Sequence, residues 1–130
     1  MSIPFHYSKY DQADKRSPVK EVKGILSFID RELFFEYKVY DMHGNSLSNL
    51  SKFSLRLNLI KKIRFKKGLF FMKSKLIVEA KQMAFFEPLP GSEQGRVELK
   101  INRSDKNEAI RFSTKMNLYQ SQKRLDDMDE

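Results

Sequence analysis

The chain of 130 residues contains no cysteine and no tryptophan. Without thiols there is no disulfide framework, no thiolate nucleophile and no zinc site built on sulfur. Histidine is scarce too. His6 and His43 are the only two, and neither has a second histidine or a carboxylate at metal-ligand spacing. The five glycines stand at positions 24, 44, 68, 91 and 95, too scattered for a loop that cradles phosphate, and no Gly-x-Ser-x-Gly elbow occurs. Apolar runs stop at three or four residues, against roughly 20 for a membrane-spanning helix. The start, Met1 to Tyr7, lacks the basic flank and apolar run of a signal peptide, so a cytoplasmic location is expected. Asp30 and Glu32 are the nearest thing to paired carboxylates, and two residues apart in a short polar break they read as turn chemistry. No catalytic, cofactor-binding or metal-ligating residue emerges, and an enzyme is not expected.

What the chain does have is bulk. Hydrophobic residues make up 40% of it, with 11 Phe and 5 Tyr. That content predicts a packed core rather than a disordered chain. Its length fits one domain of the usual roughly 100–150 residues.

Residues 1–18 show only loose alternation at Phe5, Tyr7 and Tyr10. They read as an N-terminal extension that offers at most a short extra strand, broken at Ser17-Pro18. From Lys20 a period of two sets in. Val22, Gly24, Leu26 and Phe28 share one parity, and Leu33, Phe35, Tyr37 and Val39 share the next, so two strands meet at a tight turn over Asp30-Arg31. Asp41 to Ser51 is rich in turn formers and reads as a loop. Phe53, Leu55, Leu57 and Leu59 alternate again, and a phase slip at Leu59-Ile60 marks a bulge or barrel corner before Ile63 and Phe65. Lys66-Lys67-Gly68 turns the chain, and Leu69 to Lys81 reads as one long strand. Pro88 and Pro90 interrupt the ladder, and Val97, Leu99 and Ile101 give the last strand.

At Ser104-Asp105 the period changes to 3.6. Either residue can cap a helix start, and Ala109, Phe112, Met116 and Tyr119 fall on one helical face. Beyond Gln120 the sequence is polar and ends in an acidic tail, residues 121–130. Six or seven strands followed by one helix predict an α+β domain: a curved antiparallel sheet or partly open barrel, closed by the C-terminal helix.

The segments Gly24 to Phe28 with the hairpin to Leu33 and Phe35, Leu59 to Ile63, Leu76 to Val78 and Ala109 to Phe112 resemble the pleckstrin-homology-like barrels, including GRAM-type and bacterial members. The resemblance spans residues 19–120 and rests on strand order and hydrophobic spacing. It implies a binding module without chemistry, directed to lipids or peptides. Phosphoinositide-binding members carry basic residues around the first hairpin loop. Here that loop is Asp30-Arg31-Glu32, so the resemblance does not carry that site over.

The functional clue is where the charge lies. Net charge is +8, yet residues 52–81 alone carry ten cations and one acid, so the rest is close to neutral. Lys61, Lys62, Arg64, Lys66, Lys67, Lys73 and Lys75 follow one another with no acid between them. Strand parity puts Lys62, Arg64 and Lys66 outward, opposite Ile63 and Phe65, with Lys73, Lys75 and Lys81 on the outside of the next strand. The plain reading is a solvated face or a lysine-guarded edge. The functional reading is contact with an anionic partner, an acidic lipid surface or an acidic protein, made at the periphery of a membrane in the lipid case.

Phe70 and Phe71 near the turn are candidates for insertion into lipid or stacking on bases, although at least one is expected to fill the core. Two other functions stay open: a nucleic-acid-binding β-domain using the same cations, and a scaffold or homo-oligomer that pairs through a sheet edge. The acidic tail, Asp126 to Glu130, could fold back and mask the cations.

Overall fold

The computed structural model describes residues 1–11 and 13–128. Seven strands form one antiparallel sheet: β1 (Ser2–Tyr10), β2 (Pro18–Ile29), β3 (Glu32–Tyr40), β4 (Ser51–Arg56), β5 (Ile60–Lys66), β6 (Ser74–Ala80) and β7 (Arg96–Ile101). One helix, α1 (Lys106–Met128), follows them. The strand order is β4-β3-β2-β1-β7-β6-β5, so the sheet is two meanders joined through β1 and β7. That joint is slight. A single register position, His6 opposite Lys100, connects the two halves.

The first corrections fall at the chain ends. Residues 2–10, inside the expected extension, form the strand at the middle of the sheet, with Ile3, Phe5 and Tyr7 buried in the core. At the other end α1 continues through residues 121–128, where a tail was expected. Asp129 and Glu130 lie outside the described residues. The helix begins with a 3₁₀ turn over Arg103–Asp105 behind Asn102, which makes no side-chain capping bond.

Alternating burial shapes the core. Phe35 on β3 is fully buried, with Phe5 at 6.2 Å, Phe53 at 5.6 Å and Phe86 at 6.1 Å between ring centroids. Gly24 on β2 is required by this closeness, because a Cβ there would lie 2.1 Å from the Glu36 carbonyl oxygen. The helix contributes Ala109, Phe112 and Met116, the face its spacing predicts. Tyr119 reaches Phe28 on β2 at 5.5 Å, and Gln120 donates to the Ile60 carbonyl of β5 at 3.0 Å. The helix thereby ties together two strands from different meanders, across a sheet that does not close between β4 and β5.

Two turns position the rest. Asp30-Arg31 has positive φ at both residues, 52° and 63°, the two-residue hairpin geometry whose twist suits the flanking strands. The phase slip near Leu59 is a 3₁₀ turn over Leu57–Leu59 followed by a register shift between Ile60 and Lys62. It is the corner where the chain leaves one meander for the other. The segment Pro88 to Gly91 is pinned by two tyrosines, Tyr7 donating to the Pro90 carbonyl and Tyr37 to the Pro88 carbonyl. Burial pushes both phenols above their ordinary pKa. Among the described residues, no helix is long and apolar enough to cross a membrane.

Candidate functional site

The largest departure from the sequence reading lies between β5 and β6. The strand expected over residues 69–81 starts only at Ser74, and residues 67–73 form a loop. Gly68 makes the tight reversal possible. A Cβ on it would sit 2.1 Å from the Met72 carbonyl oxygen, while its own N–H donates to the Ser74 hydroxyl at 3.1 Å. Met72 donates back to the Leu69 carbonyl at 3.0 Å, and Arg103 donates to the Phe70 carbonyl at 3.2 Å. Phe70 takes a φ of 57°, a region that costs a bulky residue energy.

Folding back in this way drives four consecutive apolar side chains outward. Leu69 is 65% exposed, Phe70 92%, Phe71 96% and Met72 66%. The expectation that one phenylalanine would fill the core is therefore overturned. Parity along a strand would have buried one of the pair, but the loop exposes both.

The cations sort into three settings. Lys61, Lys62 and Arg64 sit exposed on β5, which is an outermost strand of the sheet. Cations on an edge discourage pairing with another chain, and that role suffices for these three. Lys81 lies beyond the far end of β6, exposed, its backbone N–H bonded to the Leu59 carbonyl. Lys66, Lys67, Lys73 and Lys75 surround the apolar loop.

Of these, Lys66 and Lys75 are directly opposite each other, and the register continues the row. Lys75 faces Lys100, Lys100 faces His6, His6 faces Lys23 and Lys23 faces Lys38. Six basic side chains from six strands thus occupy one line across the outer face. Side chains directly opposite in a sheet have Cβ atoms about 4.5–5.5 Å apart, and like charges so placed destabilise by some tenths of a kcal/mol per pair.

Sequence reasoning missed Lys23, Lys38, Lys100 and His6, because each stands alone in its own strand. Only the register aligns them. The signal was present in the outward parity of each strand, but it needed the strand order to be read.

Some of this charge is compensated. Lys75 lies 3.8 Å from Glu98, which also pairs with Arg96 at 3.5 Å. Lys23 lies over the Tyr40 ring, 5.4 Å from its centroid. Lys73 donates to Asn102 Oδ1 at 3.1 Å and approaches His6 Nε2 at 3.0 Å. An ammonium has only donors to offer, so His6 Nε2 is the acceptor and the ring is neutral in this contact. Partial burial, and then the charge of Lys73, hold the His6 pKa below its ordinary value.

β1 and β7 diverge from their single joint and leave a groove of about 920 Å³ between the meanders. His6, Ser8 and Tyr10 line one side, Lys75, Glu98 and Lys100 the other, and Phe71 and Met72 overhang it. The loop and the row therefore belong to one surface feature.

The proposed masking tail does not reach this feature through its described part. Asp126 lines a separate small crevice with Arg31, Asn58, Tyr119 and Lys123. His43 sits in an exposed turn organised by Asp41, whose side chain accepts from the backbone N–H groups of His43 and Asn45. Those hydrogen bonds, Asn45 first, lower the Asp41 pKa.

No family model, no curated protein and no solved structure matches this chain. The site has to be read from its own geometry.

Proposed function

We propose that the protein is a non-enzymatic interaction module of the pleckstrin-homology-like kind that docks on an acidic lipid surface through the loop at residues 67–73. One observation carries the reading: an exposed Leu69-Phe70-Phe71-Met72 tip set among Lys66, Lys67, Lys73 and Arg103. A water-facing surface gains nothing from four contiguous apolar side chains, and exposed apolar patches mark interaction sites. A bilayer interface accepts both parts, with the apolar tip in the acyl boundary and the cations at the headgroups.

The magnitudes favour joint action. Each cation near an anionic leaflet contributes about 1 kcal/mol, and each phenylalanine removed from water about 1.5–3 kcal/mol. The cations alone reach only the low end of the cost of immobilising the protein, roughly 4–15 kcal/mol, and the apolar tip alone covers only part of that range. Together they give reversible binding that weakens with salt. An uninterrupted apolar tip suits lipid better than single-stranded nucleic acid, where stacking platforms alternate with polar contacts along a groove.

The test is co-sedimentation with vesicles of phosphatidylserine in phosphatidylcholine. Changing Phe70 and Phe71 together to Asp is expected to weaken binding at least tenfold while leaving the free energy of unfolding within about 0.5 kcal/mol of the parent. Raising the salt should weaken the parent further. Binding to anionic vesicles that ignores both salt and the double substitution would sink the reading. So would tight binding to single-stranded RNA with none to vesicles.

A further inference from the structure

The groove beneath the loop is not used by simple docking, yet it gathers basic side chains from three strands and the loop. Lys75, Lys100 and His6 stand side by side on three neighbouring strands. Lys73 reaches over from the loop to His6 Nε2 at 3.0 Å. Lys75 leans on Glu98, but among the described residues neither Lys73 nor Lys100 has a carboxylate at ion-pair distance. Of the carboxylates of the groove, Glu21 and Glu98 belong to other register positions of the sheet, and Glu93 lies in the turn before β7. Directly opposed cations that folding leaves uncompensated are relieved by an anion placed between them.

We propose that this groove binds a phosphomonoester dianion, held by Lys73, Lys100 and a His6 that becomes protonated as the anion enters. The inference rests on the docking reading for its source, a phosphate at the lipid surface beneath the inserted loop. The free-state contact sets the chemistry. Lys73 now donates to a neutral imidazole. When a phosphate oxygen arrives, Lys73 transfers that donation to it, and Nε2 takes up a proton from solvent and donates to a second oxygen.

Three cationic donors facing a dianion leave one positive charge over, whereas a phosphodiester, with one negative charge, would leave two. The second ionisation of a phosphomonoester lies near pH 6, so the dianion and an imidazolium can coexist close to neutrality. The groups that face His6 while this happens are Glu21 and Lys23 from β2, Lys73 from the loop, Lys75 from β6, and Glu98 and Lys100 from β7. Of these, Glu21 favours the protonated ring, and Lys73, Lys100 and Lys23 oppose it. An anion that neutralises the opposing set shifts the balance toward protonation.

The experiment is nuclear magnetic resonance of the full chain labelled in its histidine rings, titrated with glycerol 3-phosphate. His6 is expected to shift saturably and its pKa to rise, while His43 in its exposed turn stays still. Dimethyl phosphate, a monoanionic diester, should bind at least fivefold more weakly. Changing Lys73 and Lys100 together to Gln should weaken binding at least tenfold without lowering the unfolding midpoint. Equal shifts of His6 and His43, or undiminished binding by the double variant, overturn the proposal.

A vesicle arm separates this idea from docking itself. Preference for phosphatidic acid over phosphatidylserine at matched surface charge, lost in the Lys73/Lys100 variant, supports the lipid source. Vesicle docking that needs Phe70 and Phe71 while His6 stays silent overturns the groove and leaves docking standing. A His6 response to glycerol 3-phosphate with no binding to any vesicle keeps the groove and overturns its lipid source.

Discussion

Two hairpins in this sheet end in opposite ways. Between β2 and β3 the chain reverses over Asp30 and Arg31 alone, both polar and both at positive φ. Between β5 and β6 the last paired residues are Lys66 and Lys75, directly opposite. Two residues would have sufficed there as well, yet eight residues intervene and four of them hold exposed apolar side chains. The first turn is what folding needs. The second exceeds it, and its surplus of exposed apolar surface, held by internal hydrogen bonds, is the surface the proposed docking would use.

The comparison is broken most sharply by matching one phenylalanine against another. Phe35→Ala empties a site touched by three aromatic rings, and a loss of about 3–5 kcal/mol in denaturant unfolding is expected. Phe71→Ala, at the loop tip, should stay within about 0.5 kcal/mol of the parent. A large loss at Phe71 would mean that the loop packs against the domain and is no free prong.

A second test makes the two hairpins alike. Replacing residues 67–74 by Asn-Gly joins Lys66 to Lys75 through a two-residue turn. Folding should survive, and affinity for anionic vesicles should fall at least tenfold, about 1.4 kcal/mol. A variant that fails to fold would show that the loop supports the sheet.

The smallest effect concerns pH. The His6 pKa is lowered in the folded protein, so the unfolded chain binds a proton there more readily. Its contribution to stability is complete above the ordinary histidine pKa of about 6.5 and declines as pH falls through that value toward the folded one. His6→Gln should flatten this part of the stability profile between about pH 5 and 7, by an amount kept small by solvent screening. Equal slopes in parent and His6→Gln would show that neither partial burial nor the Lys73 contact shifts the His6 pKa in solution.

The periodicity of the sequence made β2, β3, β7 and α1 legible, because each buries one parity or one helical stripe and its pattern is local. Val22, Leu26 and Phe28, or Ala109, Phe112 and Met116, announce their faces without reference to any other segment. β1 was read too weakly, as loose alternation ahead of a break. Its importance comes from position, since it lies between β2 and β7, and strand order is a non-local property. The apolar run at residues 69–72 misled in the other direction. Leu-Phe-Phe-Met reads as buried strand, and its exposure depends on Gly68 closing against Met72 within the loop and on Arg103, distant in sequence, holding the Phe70 carbonyl.

Taken alone, the sequence determined that strands precede a single helix, that the core is aromatic and that cations crowd residues 61–75. These follow from composition and from side-chain periods of 2 and 3.6, which every segment carries within itself. Only the tertiary structure decided that Lys66, Lys75, Lys100, His6, Lys23 and Lys38 form one row beside an exposed apolar loop. Cross-strand neighbours are chosen by register between strands far apart in the chain, and no local pattern encodes that choice.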